Sequence, residues 1–153
     1  MNAINDLKDF LDEKYNRYNR PEFIDDDPIS VPHLFSQKED IEIAGMLTAT
    51  IAWGNRKSII NNANELLRRT DFAPFNFITN ASGEDLKPFL SFVHRTFNGN
   101  DCVYFLKSLS HIYKHHGGLE HVFQKGFKKD NAIKSAISHF REVFLVLIIR
   151  NMS

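Results

Sequence analysis

Four groups of side chains in this chain have types and spacings that could do chemistry, and a helix corner is the strongest of them. The apolar run Ile41 to Ala52 ends at the only tryptophan, Trp53. Gly54 stops that helix, and Asn55 can cap the next one, which opens with Arg56 and Lys57. A large aromatic and two cations therefore share one bend. Helix N-termini present backbone N–H groups and the positive end of the dipole, which suits phosphate. An indole at the same place can stack on a base or wedge between bases. The competing reading puts Trp53 in the core and leaves Arg56 and Lys57 merely solvated.

The second group is His111, His115, His116 and His121, close together in sequence. His111 and His115 lie one helical turn apart, a spacing that can hold zinc if His121 or Glu120 supplies a third ligand. No HExxH pattern accompanies them. The alternative is a polar helix end, where histidines meet the negative end of the dipole. Third, Asp25-Asp26-Asp27 can chelate calcium or magnesium, but the following Pro28 and the absence of EF-hand spacing favour a turn acid. Fourth, His94-Arg95-Thr96-Phe97 sets a His-Arg pair at a helix end. That pair either binds a phosphate or carboxylate or pins the turn to a neighbouring helix. Glycine-rich phosphate loops and GxSxG elbows are absent, and no residue set completes an active site. No cofactor is implied, and the chain as it stands is expected to catalyse nothing.

Composition bounds the partners. The chain has 153 residues, suited to one domain, and its formal net charge is zero. Without a global basic field, any polyanion contact must be a local patch. Fourteen phenylalanines predict a core packed largely with aromatics. A lone cysteine, Cys102, excludes an internal disulfide and suggests a reducing compartment. The N-terminus lacks the apolar block of a signal peptide, and no apolar run reaches the roughly 18 residues that span a bilayer, so the expected location is the cytoplasm, away from membranes.

The elements that must position these groups read as helices almost throughout. Ile4, Leu7, Phe10, Leu11, Tyr15 and Tyr18 form one face of a first helix. Pro21 to Phe35 reads as extended loop. Ser36 and Glu39 have capping-box spacing for a second helix running to about Trp53. A third helix buries Ile59, Ile60, Ala63, Leu66 and Leu67. Pro74 and Ser82-Gly83-Glu84-Asp85 mark further starts, and Asn98-Gly99-Asn100-Asp101 reads as a turn. A helix follows with Val103, Phe105, Leu106, Leu109, Ile112 and Tyr113 inward, stopped by Gly117-Gly118. Leu119 to Phe127 is a short helix, and Asp130 caps a last one carrying Ile133, Ala136, Ile137 and Phe140. The expected fold is an all-α single-domain bundle of seven or eight short helices.

Past Arg141 the pattern changes. Val143 to Ile149 is apolar on every side and rich in β-branched residues, an aggregation hazard if exposed. Residues 1–142 therefore read as the helical domain and 143–153 as an atypical tail. That tail is either a core segment or a stub missing its packing partner, the chain then being a fragment or a reading frame that departs near residue 142.

Asp27-Pro28-Ile29 with Pro32-His33 and Phe35, then Asp40 to Ala44, Ala52-Trp53-Gly54-Asn55-Arg56 and His94-Arg95-Thr96-Phe97, resemble the bacterial domain of unknown function 2400 family, over about residues 5 to 141. Members of that family are typically longer, and the tail from Phe144 does not resemble its continuation. The family is distantly similar to helix-hairpin-helix DNA glycosylases, which press a Leu-Ser-Gln-type motif against the minor groove. Leu47-Thr48-Ala49-Thr50 stands at the corresponding place without the glutamine, and the resemblance carries no catalytic residue onto this sequence.

The expectation is thus a helical protein, similar to the N-terminal part of a glycosylase-like fold, that binds DNA or RNA weakly through Trp53, Asn55, Arg56, Lys57 and Arg95. An alternative is an interaction module or homo-oligomer whose contact is Phe144, Leu145, Leu147 and Ile148. A third is a metal-dependent hydrolase built on the histidine cluster.

Overall fold

The computed structural model describes residues 3–146, with side chains from Asp6 onward. Eight α-helices are present among them: α1 (Ala3–Tyr18), α2 (Lys38–Thr50), α3 (Arg56–Arg68), α4 (Pro74–Asn80), α5 (Gly83–Leu86), α6 (Gly99–His115), α7 (Leu119–Phe127) and α8 (Ile133–Phe144). No strand occurs among the described residues, so the all-α expectation holds. The segment read as extended loop instead forms three 3-10 turns, Pro21–Phe23, Pro28–Ser30 and Pro32–Leu34. Each starts on a proline, whose fixed φ and missing N–H suit a first helical position.

Local side-chain caps explain three of the helix starts. Asn55 Oδ1 accepts from Ser58 N at 3.1 Å to cap α3. Ser82 with Asp85, and Asn98 with Asp101, form reciprocal capping boxes at α5 and α6. The Ser36–Glu39 box does not form: α2 begins one position after Gln37, with no side-chain cap. Asp130 also stands short of its expected place. Ala132 is the N-cap of α8, while Asp130 Oδ1 accepts from Ala132 N at 3.1 Å.

Helices α2, α3, α4 and α6 enclose the centre of the core. Ile43, Leu47 and Ile51 meet Leu66, Leu67, Ile78, Leu106, Leu109 and Ile112, all buried. Each such side chain contributes about 1.5–3 kcal/mol on removal from water. The phenylalanine-rich composition is used as a chain of ring contacts. Phe92 meets Phe97, Phe97 meets Phe105 at 5.2 Å, Phe105 meets Phe144 at 4.8 Å, and Phe140 links Phe144 to Phe123. Asp40 joins two helices: its buried carboxylate accepts from Phe75 N at 2.8 Å, capping α4 from α2.

Two apolar faces depart from the amphipathic pattern. Leu7, Phe10, Leu11, Tyr15 and Tyr18 of α1 are exposed, as are Ile133 and Ile137 of α8; the side chain of Ile4 lies outside the described residues. Periodicity marks which residues share a face, but not whether anything covers it. At the chain's end, α8 runs through the boundary at 142, and Val143 and Phe144 join the core. Tyr104 donates its hydroxyl to Phe144 O at 2.7 Å. Leu145 packs against the core edge, whereas Leu147 and Ile148 lie outside the described residues.

Candidate functional site at the helix corner

The bend between α2 and α3 is held by backbone geometry. After the last turn of α2, Trp53 N donates to Ile51 O at 2.8 Å and the chain turns through Gly54 at φ +108°, a region that disfavours side chains. A Cβ at Gly54 would also stand 2.8 Å from Arg95 Nη1, so the glycine both makes the turn and clears space for that arginine. Trp53 is 41% exposed, on the surface rather than in the core.

The His94-Arg95-Thr96-Phe97 segment completes the corner. It is not a helix end but a tight turn: His94 N donates to Phe97 O at 2.8 Å and Phe97 N to His94 O at 3.0 Å. Arg95, its first central residue, is held at φ +57°, where a non-glycine residue costs about 1–2 kcal/mol. The two alternatives for the His-Arg pair divide between its members. His94 is 4% exposed and pins the turn. Its Nδ1 accepts from Asn62 Nδ2 at 2.7 Å, which places the proton on Nε2, 3.3 Å from the Trp53 carbonyl oxygen that accepts it. Its ring also meets the indole edge-on, with centroids 6.3 Å apart. Arg95 faces outward, and its guanidinium carbon lies 4.5 Å from the centroid of the Trp53 ring, a cation–π pair.

Arg56 and Lys57 are exposed at the start of α3, and neither they nor Arg95 has an ion-pair partner among the described residues. Their amides, at the first helical positions, have no intrahelical acceptor. Arg56 lies over the Phe23 ring at 5.5 Å, which fixes its stem against the first 3-10 turn. An open groove of about 570 Å³ runs beside the corner, lined by Asn55, Arg56, Lys57, Ile60, Asn61 and Asp26. The structure thus brings together Trp53, Asn55, Arg56, Lys57 and Arg95. It adds Asn62 and Phe23, which sequence reasoning left out, and Asp26, which it placed only in the acidic run Asp25-Asp26-Asp27; no motif or spacing ties Asn62 to a turn 32 residues away.

The other sequence candidates fare differently. Asp27 is a turn acid, its Oδ1 accepting from Ile29 N at 2.9 Å. Cys102 is buried packing, and burial pushes its thiol up to about 12. His111, His115 and His121 do not converge as a three-ligand set: among the described residues no three His, Cys, Asp or Glu side chains surround one point. His111 instead meets His116. No described helix is long and apolar enough to cross a membrane.

Comparison with known proteins adds one match. No curated protein and no solved structure matches the chain. One family model does, over residues 27–152, beginning after α1 and including both the Trp53 corner and the His94–Phe97 turn. The chain therefore belongs to the protein family of unknown function DUF2400.

Proposed function

We propose that the corner is a weak nucleic-acid-binding surface. The observation that carries this reading is the exposed indole–guanidinium pair of Trp53 and Arg95 beside two cations without carboxylate partners among the described residues. Cations supply the phosphate term, and planar groups supply stacking that tolerates any base. One indole face is taken by Arg95, so a base stacks on the guanidinium or on the remaining indole surface rather than inserting between two free faces. The pre-set turn lowers the ordering cost of contact, since His94 and Gly54 already hold both planar groups. No catalytic step is assigned: the corner has no nucleophile with an adjacent base, and the glycosylase likeness contributes no residue to it.

Trp53 is the chain's sole tryptophan, so its fluorescence reports the corner directly. Titration with short single-stranded and duplex DNA should quench or shift that emission saturably, and Arg95→Ala should weaken binding. Emission unchanged by either DNA at low salt rejects the proposal.

A second reading, a helical interaction module, is favoured by the exposed apolar face of α1. It moves the contact away from Phe144, which is buried, while Leu147 and Ile148 lie outside the described residues. Light scattering of the intact chain tests it. Self-association abolished by Phe10→Ser with Leu11→Ser supports this reading, and a monomer at high concentration rejects a homo-oligomer.

A further inference from the structure

The opposite use of histidine occurs at the far end of α6. That helix ends with a Schellman-like turn: His116 N donates to Ile112 O at 2.9 Å and Gly118 N reaches the same carbonyl at 3.4 Å. Gly117 and Gly118 take φ +75° and +93°, which folds the chain back sharply and sets His116 against the preceding turn. As a result His116 Nε2 stands 3.2 Å from His111 Nε2, the ring centroids being 4.9 Å apart. His115 lies beside His111 at 5.0 Å between centroids. His115, His116, His121, His139 and Lys125 line one pocket of about 290 Å³.

We propose that His111 and His116 form a two-imidazole site for a late first-row divalent cation, with Zn²⁺ as the representative. Two nitrogens bound to one ion at about 2.0–2.1 Å stand about 2.8–3.0 Å apart in cis-octahedral and about 3.3–3.4 Å apart in tetrahedral geometry. The observed separation falls between the two, so the backbone has already set the bite distance. Imidazole nitrogen selects zinc, copper or nickel over magnesium and calcium. Water completes the coordination, since no third His, Cys, Asp or Glu joins the pair around one point among the described residues. The site shares no residue with the Trp53 corner and stands or falls separately from it. It also differs from the set expected from spacing alone, in which His111 pairs with His115 and His121 or Glu120 comes third, because His116 takes the place of His115.

The test uses untagged protein with histidine ring nitrogens followed by NMR. Zn²⁺ should saturate at one ion per chain and shift the His111 and His116 Nε2 resonances, leaving His33 and His94 in place; Mg²⁺ should do nothing. His116→Asn keeps a polar residue at the helix end and should weaken Zn²⁺ binding at least about tenfold. His111→Gln, checked for an unchanged circular dichroism spectrum, should do the same. The alternative is a plain N–H···N hydrogen bond between the two rings. Absence of saturation up to about millimolar Zn²⁺, equal shifts of all histidines, or undiminished binding by His116→Asn would establish that alternative and overturn the proposal.

Discussion

Replacing Arg56 and Lys57 together with alanine removes two of the three cations at the α2–α3 corner and leaves Arg95 stacked on Trp53. Each phosphate neutralised releases counterions, so log affinity falls with log salt at about −0.7 per contact on single strands and −0.9 on duplex. Three contacts give a slope of about −2.1 to −2.7, or a loss of about 20- to 40-fold between 50 and 200 mM salt. With Arg95 alone the slope should shrink to about −0.7 to −0.9, a loss of only about threefold over that range. The slope is more informative than the affinity, because stacking on the indole is nearly independent of salt. Trp53 fluorescence, titrated at four salt concentrations for parent and double variant, measures both. A slope unchanged by Arg56→Ala plus Lys57→Ala would refute the reasoning even if DNA binds, since binding would then come from elsewhere on the chain.

Other expectations concern the frame that holds the site. Asp40→Ala leaves Phe75 N–H without its acceptor and should cost about 1–2 kcal/mol in urea unfolding, with Asp40→Asn milder; a change within about 0.3 kcal/mol would remove the α2–α4 joint from the account. Gly99→Ala would set a Cβ 2.0 Å from Leu90 O, a collision with backbone, and should destabilise by about 3 kcal/mol or more. Ser108 Oγ is buried with no hydrogen-bond partner among the described residues, so Ser108→Ala should be neutral or mildly stabilising, and a loss above about 1 kcal/mol would contradict this. The Cys102 thiol, raised to about 12 by burial, should resist a thiol reagent at pH 8 in the native state and react at once in denaturant. Because the native thiol holds its proton longer than the unfolded one, this contribution to stability is complete below about pH 9 and is lost as pH rises toward 12. Rapid native labelling would contradict it.

Where side chains act on their own backbone neighbours, sequence reading and structure agree. Asn55 and Ser82 cap the helices they precede, since capping needs only residues three positions apart; Asn98 caps α6 in the same way, although Asn98-Gly99-Asn100-Asp101 reads in the sequence as a turn. Gly117-Gly118 end α6 for the same local reason, whereas α2 stops at Thr50, short of its expected end near Trp53, and Gly54 makes the turn that follows. The failures were of two kinds. Ser36 had cap spacing but lost to Gln37 as the entry to α2, a one-residue matter of how the chain leaves its 3-10 turn. The apolar rows of α1 and of Ile133 and Ile137 had helical spacing but no cover, because spacing specifies a face and not its partner.

The corner divides in the same way. Sequence alone determined the helix–Gly–helix bend and the presence of an indole and two cations in five residues; its expectation of a core packed largely with aromatics gives way to an aliphatic centre with most of the rings packed around it. Only the tertiary structure decided that Trp53 stands at the surface, that Arg95 lies over it, and that His94 is an internal brace held by Asn62. It likewise set His116 against the His111 ring nitrogen, where spacing alone pairs His115 with it. These choices join residues far apart in the chain, or turn on backbone φ values at single positions. They follow from how whole helices pack, which no local pattern encodes.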